Sequence, residues 1–311
     1  MLLHILLLCL GMFFLYYGSE WLVKGAASLA LGFSVRPVII GLTVVAFATS
    51  APELLVSLIA AVEGSSGVSL GNILGSNVAN IGLVVGISAL IRPLTINHRI
   101  IYSEIPFMIG FSGMFWILCL DSYLGRLDGV FLLLGLAIFL IYGMLNSIKK
   151  DIHGDENLLK KKSLLKNSLL IIIGMAGLLG GADILVKSSI FIARFLGFSD
   201  IFIGLSIVAL GTSLPELATS IVAGVRGEHE ISIGNVVGSN IFNLGLVMGM
   251  VALINPMSLD SKLLYFEFPA MFIVSLLLFV FCRTGYIINR IEGLAFITSY
   301  VLFIGISFIS H

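Results

Sequence analysis

Two glutamates, Glu53 and Glu216, stand inside apolar stretches long enough to cross a bilayer, each preceded by a proline and a Thr-Ser pair. A carboxylate at the centre of a membrane helix costs about 2.5–3.5 kcal/mol on insertion scales, so such residues mark ion or proton pathways unless a basic partner neutralises them. Neither stretch contains one. Thr49 and Glu53 are four residues apart, which on an unbroken helix puts both on one face. Pro52 and Pro215 have no N–H and leave the carbonyls of Ala48 and Gly211 without their helical donors. A membrane protein tolerates such freed backbone where it lines a polar cavity or is buried in protein. Downstream, Asn72, Ser76 and Asn80 recur every fourth residue on one helical face, as do Asn235, Ser239 and Asn243. Carboxylate, hydroxyl, amide and carbonyl oxygens without thiol or imidazole suit hard cations such as Na⁺ and Ca²⁺. Serine, asparagine and glycine also bind membrane helices to one another, so the Ser/Asn set alone supports either role. The unpartnered glutamates tip the reading toward an ion site.

The two settings are copies. GLTVVAFATSAPELLVS (41–57) matches GLSIVALGTSLPELATS (204–220) at ten of seventeen positions, and residues 71–93 match 234–256 at fourteen of twenty-three. A constant offset of 163 links Gly18 to Gly181, Glu53 to Glu216, Gly71 to Gly234, Pro93 to Pro256 and Glu104 to Glu267, which identifies a tandem duplication. Near Ser34 and Ser199 the offset becomes 165, and Arg126 meets Arg290 at 164, so loops absorbed the changes.

These residues must be carried by membrane helices. Of 311 residues, 59% are hydrophobic and 11% charged, against about 25% charged in a soluble domain. At about 20 residues per span, the first half offers spans near 2–30, 38–62, 68–91, 101–120 and 127–146. The second offers spans near 167–195, 201–224, 231–254, 263–282 and 290–309. The fold class is therefore all-α and polytopic: repeat 1–149, linker 150–163, repeat 164–311. An odd number of spans per repeat inverts the second copy relative to the first, the architecture of secondary transporters. With the linker cytoplasmic, Arg36, Arg92, Arg99, Lys149, Lys150, Lys160, Lys161, Lys162, Lys166, Arg226, Arg283 and Arg290 share its side, while Arg126, Arg194 and Lys262 face outward. Both termini then lie outside. The first apolar run lacks a basic n-region and a cleavage site and is read as the first helix, not a signal peptide.

Other charges read as structural. Glu20 with Lys24 and Asp183 with Lys187 form i, i+4 pairs. Glu104 and Glu267 precede prolines at the start of spans, and Glu63, Glu228, His229 and Glu230 read as solvated loop residues. Balanced charge, seventeen basic against seventeen acidic, gives no sign of a nucleic-acid partner. The three cysteines and five scattered histidines form neither a disulfide frame nor a zinc site. No nucleophile-base arrangement accompanies the polar segments, which argues against an enzyme. Proton-coupled or potassium-coupled calcium exchange and a passive cation channel remain open on the residues alone.

The segments A-T-S-A-P-E (48–53) with G-N-I-L-G-S-N (71–77), and G-T-S-L-P-E (211–216) with G-N-V-V-G-S-N (234–240), resemble the two alpha-repeats of the sodium/calcium exchangers in the calcium/cation antiporter superfamily. The resemblance covers essentially the whole chain. It implies ten helices, antiport of Ca²⁺ for Na⁺ by alternating access, and no cofactor, with inorganic cations and the bilayer as the only partners. It implies calcium held chiefly by Glu53 and Glu216, and sodium by Thr49, Ser50, Ser76, Thr212, Ser213, Ser239 and the carbonyls of Ala46 and Ala209. Reorientation is expected, from the resemblance, as a sliding of the first and sixth spans over a core formed by the second, third, seventh and eighth. Two positions depart from the family pattern: Asn243 stands where some exchangers carry aspartate, leaving two formal charges in the site, and Ala48 replaces the glycine of the first motif.

Overall fold

The computed structural model describes residues 2–33, 35–145, 160–196 and 209–310. In chain order, the first repeat comprises α1 (Leu2–Gly32), α2 (Pro37–Thr49), α3 (Ala51–Val62), α4 (Ser66–Ile91), α5 (Ile100–Leu118) and α6 (Arg126–Leu145). The second comprises α7 (Lys160–Phe195), a single turn α8 (Ala209–Gly211), α9 (Leu214–Arg226), α10 (His229–Ile254), α11 (Ser261–Arg283) and α12 (Arg290–Ser310). Among the described residues, eight helices are long and apolar enough to cross a bilayer, and α2 with α3, bent by 45°, make a ninth span. The span expected over 201–224 is described only from Ala209; its earlier part, like the central segment 146–159 and His311, lies outside the described residues. Helix α7 begins at Lys160, inside the segment expected as linker.

The bend between α2 and α3 has a local cause. Pro52, at the start of α3, cannot donate to Ala48, and Ser50 turns out of helical geometry at φ −80°, ψ 4°. The second repeat does the same, with Ser213 at φ −89°, ψ 5° ahead of Pro215. Two further departures recur in both copies: α4 widens into a π turn over Asn80–Val85, and α10 over Asn243–Met248. Such π turns concentrate at functional sites.

Four two-residue strands qualify the all-α expectation. β1 (Leu94–Thr95) pairs antiparallel with β4 (Ile287–Ile288), and β2 (Tyr123–Leu124) with β3 (Met257–Ser258). Each ribbon joins a loop of one repeat to a loop of the other. The Ile96 N–H donates to the Tyr286 carbonyl at 2.8 Å and the Leu259 N–H to the Ser122 carbonyl at 2.9 Å. Ser122 and Tyr286 share φ 60°, a left-handed backbone that a side chain disfavours and that both copies nevertheless keep. The loop that contains β1 also meets the α9–α10 turn, where Arg92 donates to the Val225 carbonyl and the Asn97 amide to Glu230 at 3.1 Å. At the other end of the bundle Asn255 donates to the Ala61 carbonyl. Loops 92–97, 225–230 and 286–288 thus share one end, and loops 61–63, 121–124 and 255–259 the other, the alternation that two inverted repeats require.

Apolar packing divides unequally. One large cluster, with Ile73, Leu74, Phe115, Phe268 and Phe296 fully buried, runs through α4, α5, α10, α11 and α12. A smaller one, including Leu22, Val23, Ala26, Leu178 and Ala182, lies between α1 and α7 and touches the rest through Val45, Val222 and Ile231. There the two helices meet backbone to backbone: a Cβ on Gly18 would stand 2.7 Å from the Leu178 nitrogen and 2.8 Å from the Gly174 carbonyl oxygen. Exposed Phe13, Leu127, Ile141 and Ile291 present the apolar outer surface that lipid covers.

Candidate cation site

The two breaks and the two asparagine-rich helices meet at the middle of the molecule. Gly238 brings α10 onto α2, since a Cβ at that position would lie 2.7 Å from the Leu42 carbonyl. Glu53, Glu216, Thr49, Ser239, Asn80 and Asn243 are fully buried, Ser50, Ser76 and Ser213 nearly so, and Thr212 is half-buried. Among the described residues, every oxygen of both carboxylates is buried without a hydrogen-bond partner, as are the hydroxyls of Ser50, Thr212 and Ser213 and the amide oxygens of Asn80 and Asn243. Among the described residues no basic side chain pairs with either glutamate, and the two lie close enough to repel each other. A buried carboxylate with neither counter-charge nor donor is destabilised unless something positive joins it.

The hydroxyls around each carboxylate come from both repeats. Ser76 and Thr212 neighbour Glu53; Thr49, Ser50 and Ser239 neighbour Glu216. Thr49 and Glu53, expected on one face of a continuous helix, therefore diverge, because the break at Ser50 turns α3 away before Glu53 is reached. The Thr49 hydroxyl lies 3.1 Å from Asn235 Oδ1, 3.3 Å from Ser239 Oγ and 3.3 Å from the Ala46 carbonyl. A single proton serves one acceptor at a time, so the Ala46 carbonyl, which also takes the Ser50 N–H at 2.9 Å, retains capacity for a further partner. Ala209 opens the α8 turn ahead of the second break.

Several asparagines outside the expected ligand set hold this arrangement. Asn72 does not reach a carboxylate; its amide donates to Ser57 Oγ at 2.9 Å and to the Glu53 backbone carbonyl at 3.4 Å. Asn235 repeats this with Ser220 Oγ at 3.0 Å and the Glu216 carbonyl at 3.4 Å. Between the repeats, Asn77 Nδ2 donates to the Asn240 carbonyl at 3.5 Å and Asn240 Nδ2 to the Asn77 carbonyl at 3.3 Å, so the molecular pseudo-twofold axis passes between them. The i, i+3 spacing in S-N-x-x-N, identical in both copies, was the available signal.

Away from the centre, Asp183 and Lys187 pair as expected at 2.8 Å, but Glu20 pairs with Arg226 of α9 instead of Lys24. Glu230 is no loop residue: it sits in the first turn of α10, which His229 opens, 3.7 Å from Arg36. Each has its partner on a different helix or at that helix's start, which the local sequence does not show.

Comparison with known proteins agrees with this geometry. The family model of the sodium/calcium exchanger protein matches residues 3–145 and 166–309, one block per repeat. The chain belongs to the sodium/calcium exchanger family. It is 33% identical to the sodium/calcium exchanger MaX1 of Methanosarcina acetivorans over 98% of each chain. It is 33% identical to the inner membrane protein YrbG of Escherichia coli over 91% of this chain and 89% of that one. Among solved structures it matches the sodium-calcium exchanger NCX_Mj soaked with 10 mM Na⁺ and zero Ca²⁺, with TM-score 0.87 and 34% identity over 98% of both chains. The exchanger fold expected from the alpha-repeats, a polytopic membrane protein with inverted repeats, is the fold found.

Proposed function

We propose that this exchanger is a secondary antiporter that moves Ca²⁺ against Na⁺ across the cytoplasmic membrane by alternating access. The observation that carries the reading is the pair of buried carboxylates, ringed by hydroxyls, whose oxygens have neither a basic partner nor a completed hydrogen bond among the described residues. Glu53 and Glu216 hold Ca²⁺, and Thr49, Ser50, Ser76, Thr212, Ser213, Ser239, Asn80 and Asn243, with the carbonyls of Ala46 and Ala209, complete the oxygen sets for Ca²⁺ and Na⁺. Empty, the glutamates repel; one divalent ion or several monovalent ones offset that repulsion, so the two loads compete for the same oxygens. An occupied site is the one that permits reorientation, in which α1 and α7 shear across the rest of the bundle.

The lysine-rich centre of the chain sets the orientation: residues 150–163 lie in the cytoplasm, repeats 1–149 and 164–311 flank them, and both termini lie outside. A reporter active only in the cytoplasm then works when inserted at residue 155 and fails at His311; the reverse pattern overturns the orientation.

The deciding experiment is calcium uptake into proteoliposomes under imposed gradients. An outward Na⁺ gradient drives uptake, and H⁺ or K⁺ gradients alone do not. Uptake that follows a proton or potassium gradient assigns a different coupling ion, and calcium flux without any counter-flux makes the protein a channel.

A further inference from the structure

We infer that Asn77 and Asn240 are positioning residues that fix which end of the Asn243 and Asn80 amides faces the cation. The inference rests on the cation-site reading above and concerns residues outside the oxygen set. A carboxamide has two chemically opposite ends: an oxygen that attracts a cation and an NH₂ group that repels it. An asparagine in such a site is useful only if something specifies the oxygen end.

The specification starts at the backbone. Asn240 Nδ2 faces the Asn77 carbonyl at 3.3 Å and the Met108 sulfur at 3.7 Å, and Asn77 Nδ2 faces the Asn240 carbonyl at 3.5 Å and the Met271 sulfur at 3.5 Å. A carbonyl and a thioether only accept, so the NH₂ of each asparagine must point to them. That leaves Asn240 Oδ1 facing Asn80 and Asn77 Oδ1 facing Asn243. An oxygen requires a donor, so Asn80 offers its NH₂ at 3.0 Å and Asn243 its NH₂ at 3.1 Å. The remaining ends of Asn80 and Asn243 are then oxygens, and both are buried without a hydrogen-bond partner among the described residues. Each step excludes the flipped alternative of the next, and the chain of orientation ends on two free oxygens in the site. The control is crosswise: Asn240 of the second repeat sets Asn80 of the first, and Asn77 of the first sets Asn243 of the second. Packing alone would require the volume of these side chains and would not leave two acceptors unmet.

A carboxylate carries oxygen at both ends and needs no such specification, which supplies the test. Calcium binding is measured by titration of the purified full chain in detergent. Asn77→Ala raises the half-saturating Ca²⁺ concentration about 10- to 100-fold, the range for residues that orient metal ligands. Measured against the shift that each aspartate gives in the otherwise native chain, adding Asn243→Asp to that variant restores most of the loss, and adding Asn80→Asp restores none. Asn240→Ala shows the mirror pattern, restored by Asn80→Asp and not by Asn243→Asp. If an alanine variant does not give a monodisperse protein, Asn77→Ser and Asn240→Ser take its place with the same crossed expectation. Equal rescue by either aspartate, or rescue by neither, overturns the inference, as does an unchanged affinity in Asn77→Ala when Glu53→Gln abolishes binding. Calcium binding that survives Glu53→Gln overturns the site reading itself.

Discussion

The α1–α7 pair and the central bundle are held by different means. In the bundle, α4 and α10 are joined by directional hydrogen bonds between Asn77, Asn80, Asn240 and Asn243, which tolerate little displacement. Between α1 and α7, glycines bring two backbones into contact over a smooth surface. That pair has its own apolar cluster and meets the bundle through small or branched side chains such as Val45 and Val222, with one ion pair, Glu20–Arg226, at the edge of the contact. A contact made of shape slides at small cost, whereas one made of paired polar groups has a single register. The difference matches the proposed cycle, in which α1 and α7 move and the bundle stays fixed.

Removing the charge that the fixed part presents gives the largest expected effect. Glu53→Gln and Glu216→Gln each abolish calcium exchange, lowering uptake by about 100-fold or more, beyond the 10–100-fold typical of a supporting residue. Size-exclusion profiles remain those of the parent. Wild-type uptake in either variant would remove the carboxylates from the mechanism.

The smooth contact is challenged by Gly18→Leu, whose Cβ has backbone of α7 under 3.0 Å away on more than one side. The helices must separate, at a cost of about 1–3 kcal/mol. A lower melting temperature and slower exchange are expected, with half-saturating Ca²⁺ little changed. Gly110→Leu, where an added Cβ meets nothing within 4 Å among the described residues, serves as control. Equal effects from the two would deny the α1–α7 contact any special role.

A smaller change is expected from Asn243→Asp, which puts a third carboxylate beside two that already repel. The ligand charge count tunes cation affinity, and half-saturating Na⁺ and Ca²⁺ both shift by an amount on the order of tenfold. Asn80→Asp shifts them unequally, because the inverted copies do not adopt identical conformations. If both variants keep the parent's ion and pH dependence, Asn80 and Asn243 are packing residues only.

The smallest effect belongs to Ser112→Ala and Ser275→Ala. These serines are as buried as Ser76 and Ser239, but each hydroxyl donates into its own helix, to the Met108 carbonyl at 2.9 Å and the Met271 carbonyl at 2.8 Å. Their removal costs about 1 kcal/mol or less and leaves transport within about twofold of the parent, while Ser76→Ala and Ser239→Ala impair it. Impaired transport in Ser112→Ala would show that burial, and not the partner, separates the two kinds of serine.

The duplication, the inverted arrangement and the glutamate pair were legible because each is recorded in residue type at a fixed offset. Which repeat supplies the hydroxyls for each carboxylate was not legible. That depends on how far Ser50 and Ser213 turn the chain, an angle that Pro52 and Pro215 permit without setting. Glu20 looked satisfied by Lys24 because i, i+4 neighbours can be read from the sequence, whereas Arg226, 206 positions away, cannot. The ribbons escaped notice for another reason: two residues per strand are too few to show an alternating pattern. Asn77 and Asn240 sat in plain view inside a motif, but an amide's orientation is a property of its neighbours.

The ribbons and the asparagine dyad also bear on how the protein is made. Asn77 finds its partner 163 residues later in the chain, and Leu94 pairs with Ile288. When the ribosome has delivered the first five spans, the amides of Asn77 and Asn80 therefore lack their final partners in the membrane. Helices inserted early must wait beside the translocation machinery, or shelter their amides with temporary contacts, until α10 arrives. Neither half is a finished product by itself, and a chain cut short after α6 is a substrate for membrane quality control. The same dependence means that two separately synthesised halves carry, in each other, everything needed to complete the fold.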